Sequence, residues 1–296
     1  MVQFPFFSII IPSYNRAHLI GLTLKSILNQ SLSDFEILVV DDGSADDTET
    51  VVRSMKDARV HYFKKENEER GAARNFGTKN AKGKYVNFFD SDDVMLPHHL
   101  QTAYDYLMTN QDAQWLHLAY DYRDQQGTLL ASKNDFKEET SKTILFDNVL
   151  SCNGIVMRKD VADLHPFREE RALASSEDWE LWIRLVCRYR LFLLNTITST
   201  VVTHNMRSLN TIRPEAMVNR DEALIACLQE DPTVMQTYGD GFQRFIAERY
   251  SFFMLQFSEK KDARNVLFWA LQAGKAYFPV IFTRRYLAAL KNLIVK

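Results

Sequence analysis

The sequence predicts an α/β protein with a mostly parallel, Rossmann-like central sheet flanked by helices, followed by a C-terminal helical extension. Three observations predict it. Over the first 110 residues, short apolar runs alternate with helix-period segments, the pattern of parallel strands joined by crossover helices. Three of those runs stop at clusters of polar or acidic residues, as expected where strand ends converge on a ligand. After residue 206 the periodicity is helical to the end.

Taken in order, FSIII (7–11) reads as a buried strand and is followed by a helix striped by Leu19, Leu22, Ile27 and Leu28. FEILVV (35–40) is a second strand, a short helix runs through Val51, Val52 and Met55, and residues 59–63 form a third strand. Residues 71–82 read as a helix and YVNFF (85–89) as a fourth strand; Pro97 then opens a helix to Met108, since proline fits a first helical turn. From about 112 to 205 the alternation is irregular, with strand-like runs at 115–120, 155–158, 191–194 and 198–203 around one helix, 177–189. Helices at 220–230, 241–257 and 262–276 follow. The expected organisation is therefore 1–205, divided near 110, and a helical region 206–296.

The chain carries 36 Lys plus Arg against 38 Asp plus Glu, 46% apolar and 25% charged residues, an ordinary globular composition that excludes disorder and collagen-like or small disulfide scaffolds. Its net charge of −2 conceals an asymmetry: residues 257–296 hold eight basic and two acidic side chains, so the remainder is net acidic. Three cysteines without a CxxC pair argue against a disulfide framework or zinc site. The start of the chain lacks the cation that precedes a signal peptide's apolar run, and no stretch is long enough to span a bilayer, so a reducing cytoplasm is expected. Nothing suggests a nucleic-acid partner.

The sharpest cluster is Asp90, Ser91, Asp92, Asp93 after the fourth strand. Carboxylates at i and i+2 past a strand can turn toward one point and hold Mg²⁺ or Mn²⁺, with positions left for phosphate oxygens. An Asp-rich turn that caps the next helix is the bland reading. Asp42 ends the second strand, where a carboxylate can accept from a base or a ribose hydroxyl; Ser44 to Asp47 has capping-box spacing, which leaves Asp46 and Asp47 as first-turn acids. Ser175 to Asp178 has the same spacing, so Asp178 is either a capping partner or a general base at a helix N-terminus. His204 ends an apolar strand, whereas His98 and His99 read as a solvated first helical turn. Neither a GxGxxG nor a phosphate loop is present: GTKNAKGK (77–84) has the wrong spacing.

The series IIPSYN (10–15), VVDDGSADDT (39–48), EN with GAARNFG (66–77), GKYVNFFDSDD (83–93) and EDWELWIRL (177–185) resembles the inverting nucleotide-sugar glycosyltransferases of family 2, which have the GT-A fold. The resemblance implies a nucleotide-sugar-binding half over 1–110 and an acceptor-binding half over 111–205. It places Asp42 on the uracil of a UDP-sugar, with Pro12, Tyr14, Asn67 and Arg74 completing the nucleotide pocket. Asp90, Ser91 and Asp92 would form the DXD element, with Asp92, Asp90 and His204 at the Mn²⁺ or Mg²⁺ ion that bridges the diphosphate. Asp178 would be the catalytic base, and Glu177 and Trp179 would hold the acceptor, a glycan or lipid-linked saccharide. Two positions depart from the family pattern: Val202 stands where Arg is common before the His, and Glu69 where Gly is common after the Asn.

Two other functions are compatible with such a chain. A non-catalytic nucleotide-sugar sensor would leave the acceptor-side base dispensable, and a sugar nucleotidyltransferase would need a Gly-rich basic loop after the first strand, absent here. In the tail, Tyr286, Leu287, Leu290, Leu293 and Ile294 share one helical face within 284–296, with Arg284 and Lys291 at its flank and Arg285 and Lys296 opposite. That face predicts either peripheral contact with the inner face of the cytoplasmic membrane or packing on the domain.

Overall fold

The computed structural model describes residues 4–204 and 213–294. Strands β1 (Phe7–Ser13), β2 (Phe35–Asp41), β3 (Val60–Lys64) and β4 (Tyr85–Phe88) alternate with helices α1 (Ile20–Leu28), α2 (Thr48–Arg53) and α3 (Glu69–Asn80). There follow β5 (Val94–Met95), α4 (His99–Thr109), β6 (Trp115–Asp124), β7 (Leu129–Lys133), α5 (Thr140–Thr143), β8 (Ile155–Arg158), α6 (Lys159–Leu164), α7 (Glu177–Val186) and β9 (Phe192–Thr203). Helices α8 (Pro214–Gln229), α9 (Pro232–Tyr238), α10 (Asp240–Glu259), α11 (Ala263–Ala276) and α12 (Arg284–Ile294) complete the chain. It divides into two compact units, Met1–Lys142 with Asn148–Arg207 and Thr143–Asp147 with Ser208–Lys296.

All nine strands form one sheet in the order β3-β2-β1-β4-β8-β6-β9-β5, with β7 paired to β6. The β3-β2-β1-β4 half is parallel, β8 is antiparallel to both β4 and β6, and β9 runs parallel to β6. The chain leaves β1 for β2 and β3 on one side and returns to β4 on the other. That reversal opens a crevice beyond the carboxyl ends of β1 and β4, into which their loops must project.

The apolar runs of β1 and β2, interrupted by Ser8 and Glu36, which bond each other at 2.6 Å, reflect burial on both faces. Ile9, Ile11, Ile37 and Val39 pack with Ile20, Leu24 and Ile27 of α1 and Leu100, Ala103 and Leu107 of α4. The alternate residue Ile10 faces α3, which approaches so closely that a Cβ on Gly77 would lie 2.4 Å from Ile10 Cγ2.

Several expectations are corrected. The buried stripe of α1 is Ile20, Thr23, Leu24 and Ile27, and Leu22 is 65% exposed, because the helix begins one residue later than its first apolar position suggests. Thr23 sits inside because its hydroxyl donates to the Asp93 carbonyl at 2.8 Å. The two short strands expected at 191–194 and 198–203 are one strand, β9, whose register against β6 slips at Leu118–Tyr120. His99 is fully buried, with Nδ1 2.8 Å from Thr198 Oγ1, and burial pushes its pKa down to about 3.

The second unit is helical. Phe253, Met254 and Phe257 of α10, Val266 and Trp269 of α11 and Ala289 of α12 form its core, and Tyr286, Leu290 and Leu293 of α12 pack against it. Most of the α12 stripe is therefore covered by protein rather than offered to a membrane; Lys296 lies outside the described residues. Among the described residues no helix is long and apolar enough to cross a membrane.

Candidate active site

The acidic turn after β4 is fixed by residues that carry no charge of their own. The Asp90 amide donates to Asn153 Oδ1 at 2.9 Å, and Asn153 Nδ2 donates to Asp93 Oδ2 at 2.7 Å. The other Asp93 oxygen accepts from the Val202 amide at 2.8 Å, so Asp93 is a buried clamp that ties the turn to β9. The Asp90 and Asp92 side chains are left at the crevice, and Ser91 between them is buried in the turn.

Asp92 Oδ2 lies 2.9 Å from Nε2 of the buried His204 and 3.9 Å from Arg16 Nε. That is a hydrogen-bond distance, and it sets a carboxylate oxygen beside an imidazole nitrogen, donor types that a divalent cation accepts. Asp90, expected in the same ligand set, instead accepts from Arg74 Nη2 at 3.0 Å. Among the described residues no group of three or more His, Cys, Asp or Glu gathers at one point. The donors present fit an ion that takes its remaining ligands from substrate phosphate and water.

At the end of β2, Asp41 turns inward to accept from the Ser44 amide at 2.7 Å and the Tyr62 hydroxyl at 2.5 Å. Asp42 Oδ1 accepts from Lys65 Nζ at 2.9 Å and the Glu68 amide at 3.0 Å, and its carbonyl accepts from Asn67 Nδ2 at 2.9 Å. Asp42 and Asn67 are thus brought together as expected for one pocket. Pro12 pairs with Val40 in the sheet register, and Tyr14 beyond it keeps 49% of its surface exposed. The capping box expected from Ser44 to Asp47 does not form: Ser44 Oγ accepts from the Asn15 amide and Asp46 from the Ala17 amide, which laces the β1 and β2 loops together.

Glu69, the departure from glycine, has φ +74°, the left-handed region that glycine occupies at no steric cost. Its carboxylate pairs with Arg171 Nη1 at 3.3 Å, while Arg171 Nη2 donates to the Asn67 carbonyl. The non-glycine residue is held there by an arginine from the segment that leads into α7.

At the N-terminus of α7, Ser176 caps the helix without a side-chain hydrogen bond, and the Ser175–Asp178 box is absent. Asp178 Oδ1 accepts from the Trp179 amide at 2.7 Å, and Cys152 Sγ stands 3.8 Å from Oδ2. Half-buried Asp178 has its pKa pushed up to about 6, first by burial and then by the adjacent Glu177 carboxylate, with Arg74 opposing. Glu177 is buried; its Oε1 accepts from Arg74 Nη1 at 2.7 Å, and its Oε2 has no hydrogen-bond partner. Trp179 is only 7% exposed, so its ring belongs mainly to the core.

The glycosyl transferase family 2 profile matches residues 8–162, more than half of the chain. The chain belongs to glycosyl transferase family 2. A 161-residue stretch, 52% of this family 2 chain and 48% of its relative, is 35% identical to a Campylobacter jejuni protein named GalNAc(5)-diNAcBac-PP-undecaprenol beta-1,3-glucosyltransferase. An uncharacterised glycosyltransferase of Rickettsia bellii is 32% identical over 69% of this chain and 29% of its own length. The chain thus spans about three tenths of that relative. Staphylococcus aureus TarS 1–349, solved with UDP-GlcNAc, superposes with TM-score 0.69 over 97% of this chain and 88% of TarS, at 21% identity. The mannosyltransferase PcManGT of Pyrobaculum calidifontis, solved with GDP-Man and Mn²⁺, gives TM-score 0.59 at 16% identity over 100% and 87%. The family 2 chain has the GT-A fold of these neighbours.

Three site residues of this family 2 chain escape a reading of the sequence. Asn153 follows no recognisable spacing and acts only through the fold. Lys65 was within reach: it lies one residue past β3, and the Asp41–Lys64 register sets it beside Asp42. His117, buried in the apolar first half of β6, accepts from the Ser151 amide at 3.1 Å and so anchors the turn bearing Cys152 and Asn153.

Proposed function

We propose that the protein is an inverting glycosyltransferase that moves a sugar from a nucleotide-sugar, a UDP-sugar, to a hydroxyl of a glycan or lipid-linked saccharide. The work would be done within 1–205, with the donor held by 1–110 and the acceptor by 111–205, and 206–296 as a helical extension. The observation that carries the reading is Arg74, which bonds Asp90 at 3.0 Å and Glu177 at 2.7 Å and thereby joins the donor-side turn to the helix that bears Asp178.

An acceptor hydroxyl is a poor nucleophile until a base takes its proton. With its pKa near 6, Asp178 is ionised at neutral pH yet basic enough to accept that proton as the hydroxyl attacks the anomeric carbon from the face opposite the leaving group. One displacement of this kind inverts the configuration. Glu177, locked by its bond to Arg74, would hold the α7 N-terminus in place and so orient the acceptor beside Asp178. Asp42 and Asn67 would receive the base, and Tyr14 offers an exposed ring to stack on it. Asp92 and His204 would hold Mn²⁺ or Mg²⁺, which when bound neutralises the charge that grows on the leaving diphosphate. The uridine donor draws support from TarS and the lipid-linked acceptor from the Campylobacter relative.

The experiment is transfer from a panel of UDP-sugars by wild type and Asp178→Asn. Wild type should transfer, and the variant should bind UDP while transfer is abolished. Transfer by the variant at near wild-type rate would remove Asp178 from the mechanism.

A further inference from the structure

We propose that the outer face of α11, with the turn that follows it, docks on an anionic lipid surface. Val266, Trp269, Ala270 and Ala273 are the buried side of this helix. On the opposite side Leu267, Phe268 and Leu271 are 55%, 49% and 65% exposed. Arg264 and Lys275, one turn before and one turn after them on the same face, are also exposed. The helix contains no Asp or Glu, and the acid that precedes it, Asp262, is taken up by the Asn265 amide and side chain at 3.1 and 2.7 Å.

The exposed surface continues past the helix. The turn folds back on α11, where a Cβ on Gly274 would stand 3.7 Å from Ile281 Cγ2. Phe278 and Phe282 in that turn are 64% and 72% exposed, and the exposed Arg284 follows. Five large apolar side chains are thus displayed among cations while the other side of the same helix is fully used in packing.

Charge decides the occupant. Residues 260–294 contain seven Lys or Arg and one Asp. A second copy of the chain seated on this face would set those cations against one another. An anionic bilayer surface accepts both features at once, apolar side chains at the headgroup boundary and cations against the headgroups. The sequence points to α12 for such a contact, but α12 directs Tyr286, Leu290 and Leu293 inward and leaves Leu287 and Ile294 of that stripe exposed, so the larger apolar face is that of α11 and its turn.

The test is co-sedimentation of the full chain with phosphatidylcholine vesicles with and without phosphatidylglycerol, at low and high salt. Wild type should sediment with the anionic vesicles alone and be released by salt. Arg264→Glu with Lys275→Glu, and separately Phe268→Ser with Leu271→Ser, should each reduce binding by roughly tenfold or more while melting temperature is retained. The proposal is overturned if wild type ignores anionic vesicles, if it binds neutral ones equally, or if either double variant binds as wild type does. It is also overturned if the protein is a dimer in solution that Phe268→Ser dissociates, since the occupant would then be a second copy. Vesicle binding does not depend on sugar transfer, so either reading can fail without the other.

Discussion

Arg74 Nη1 donates to Glu177 Oε1 at 2.7 Å across 103 residues of sequence, and both side chains are buried. The guanidinium also reaches Asp90 and lies over the Phe167 ring with its carbon 5.3 Å from the centroid. One cation thus sets the distance between the donor turn and the α7 N-terminus.

Removing that cation would leave a buried carboxylate uncompensated. Arg74→Met should destabilise the protein by about 3–5 kcal/mol, measured by urea unfolding, and abolish transfer. Arg74→Lys, which keeps charge but cannot fork, should recover part of the stability and little of the activity.

Asp178 makes activity and stability depend on pH in opposite senses. Transfer should fall as pH drops through about 6 and the base is protonated. Its raised pKa means the folded state binds the proton more tightly than the unfolded chain, so the penalty is absent below about 3.8 and complete above about 6. Asp178→Asn should therefore be more stable than wild type by about 2–3 kcal/mol at neutral pH, with the gap closing near pH 4, in melts across that range.

At Glu69 the backbone and the side chain pull in different directions. Glu69→Gly relieves the positive φ, and Glu69→Ala keeps it; both lose the exposed Arg171 pair. The Gly variant should exceed the Ala variant by about 1 kcal/mol in urea unfolding. Equal stability would mean that the left-handed backbone is unstrained.

Asn153→Asp replaces the donor to Asp93 with a like charge 2.7 Å away. The expected result is a loss of about 2 kcal/mol or more and weaker UDP binding by titration calorimetry, because the turn carrying Asp90 and Asp92 is released.

For the ion, stabilisation by UDP with Mn²⁺ in a thermal melt should largely vanish with chelator. At ligand near 100 times Kd the gain is about 2.7 kcal/mol. Asp92→Ala should behave like chelated wild type, and UDP-induced stabilisation that persists in both would remove Asp92 from an ion site.

Much of this protein was legible from one-dimensional pattern. The apolar runs of β1, β2 and β4 read as strands buried on both faces, and the polar residues that follow β1 and the acids that follow β2 and β4 then fall on one edge of a parallel sheet. Asp42 and Asn67, grouped by the family resemblance, are bonded to each other. What failed was pairing among local alternatives: the two capping boxes have correct spacing and neither forms, because Ser44 is taken by the β1 loop and α7 is capped at Ser176, one residue past Ser175, with Asp178 bonded to the Trp179 amide.

The sequence by itself determined the order of elements, the parallel half-sheet and the acidic character of the crevice, since these follow from periodicity and from charges placed beside strand ends. Only tertiary structure decided which acids face the crevice and which serve as clamps. Spacing pairs Asp90 with Asp92 and leaves Asp93 unassigned, yet Asp90 binds Arg74, Asp92 meets His204, and Asp93 is locked between Asn153 and Val202. Those roles are assigned by residues 16 to 112 positions away, and a carboxylate's chemistry is set by what surrounds it rather than by its neighbours in sequence.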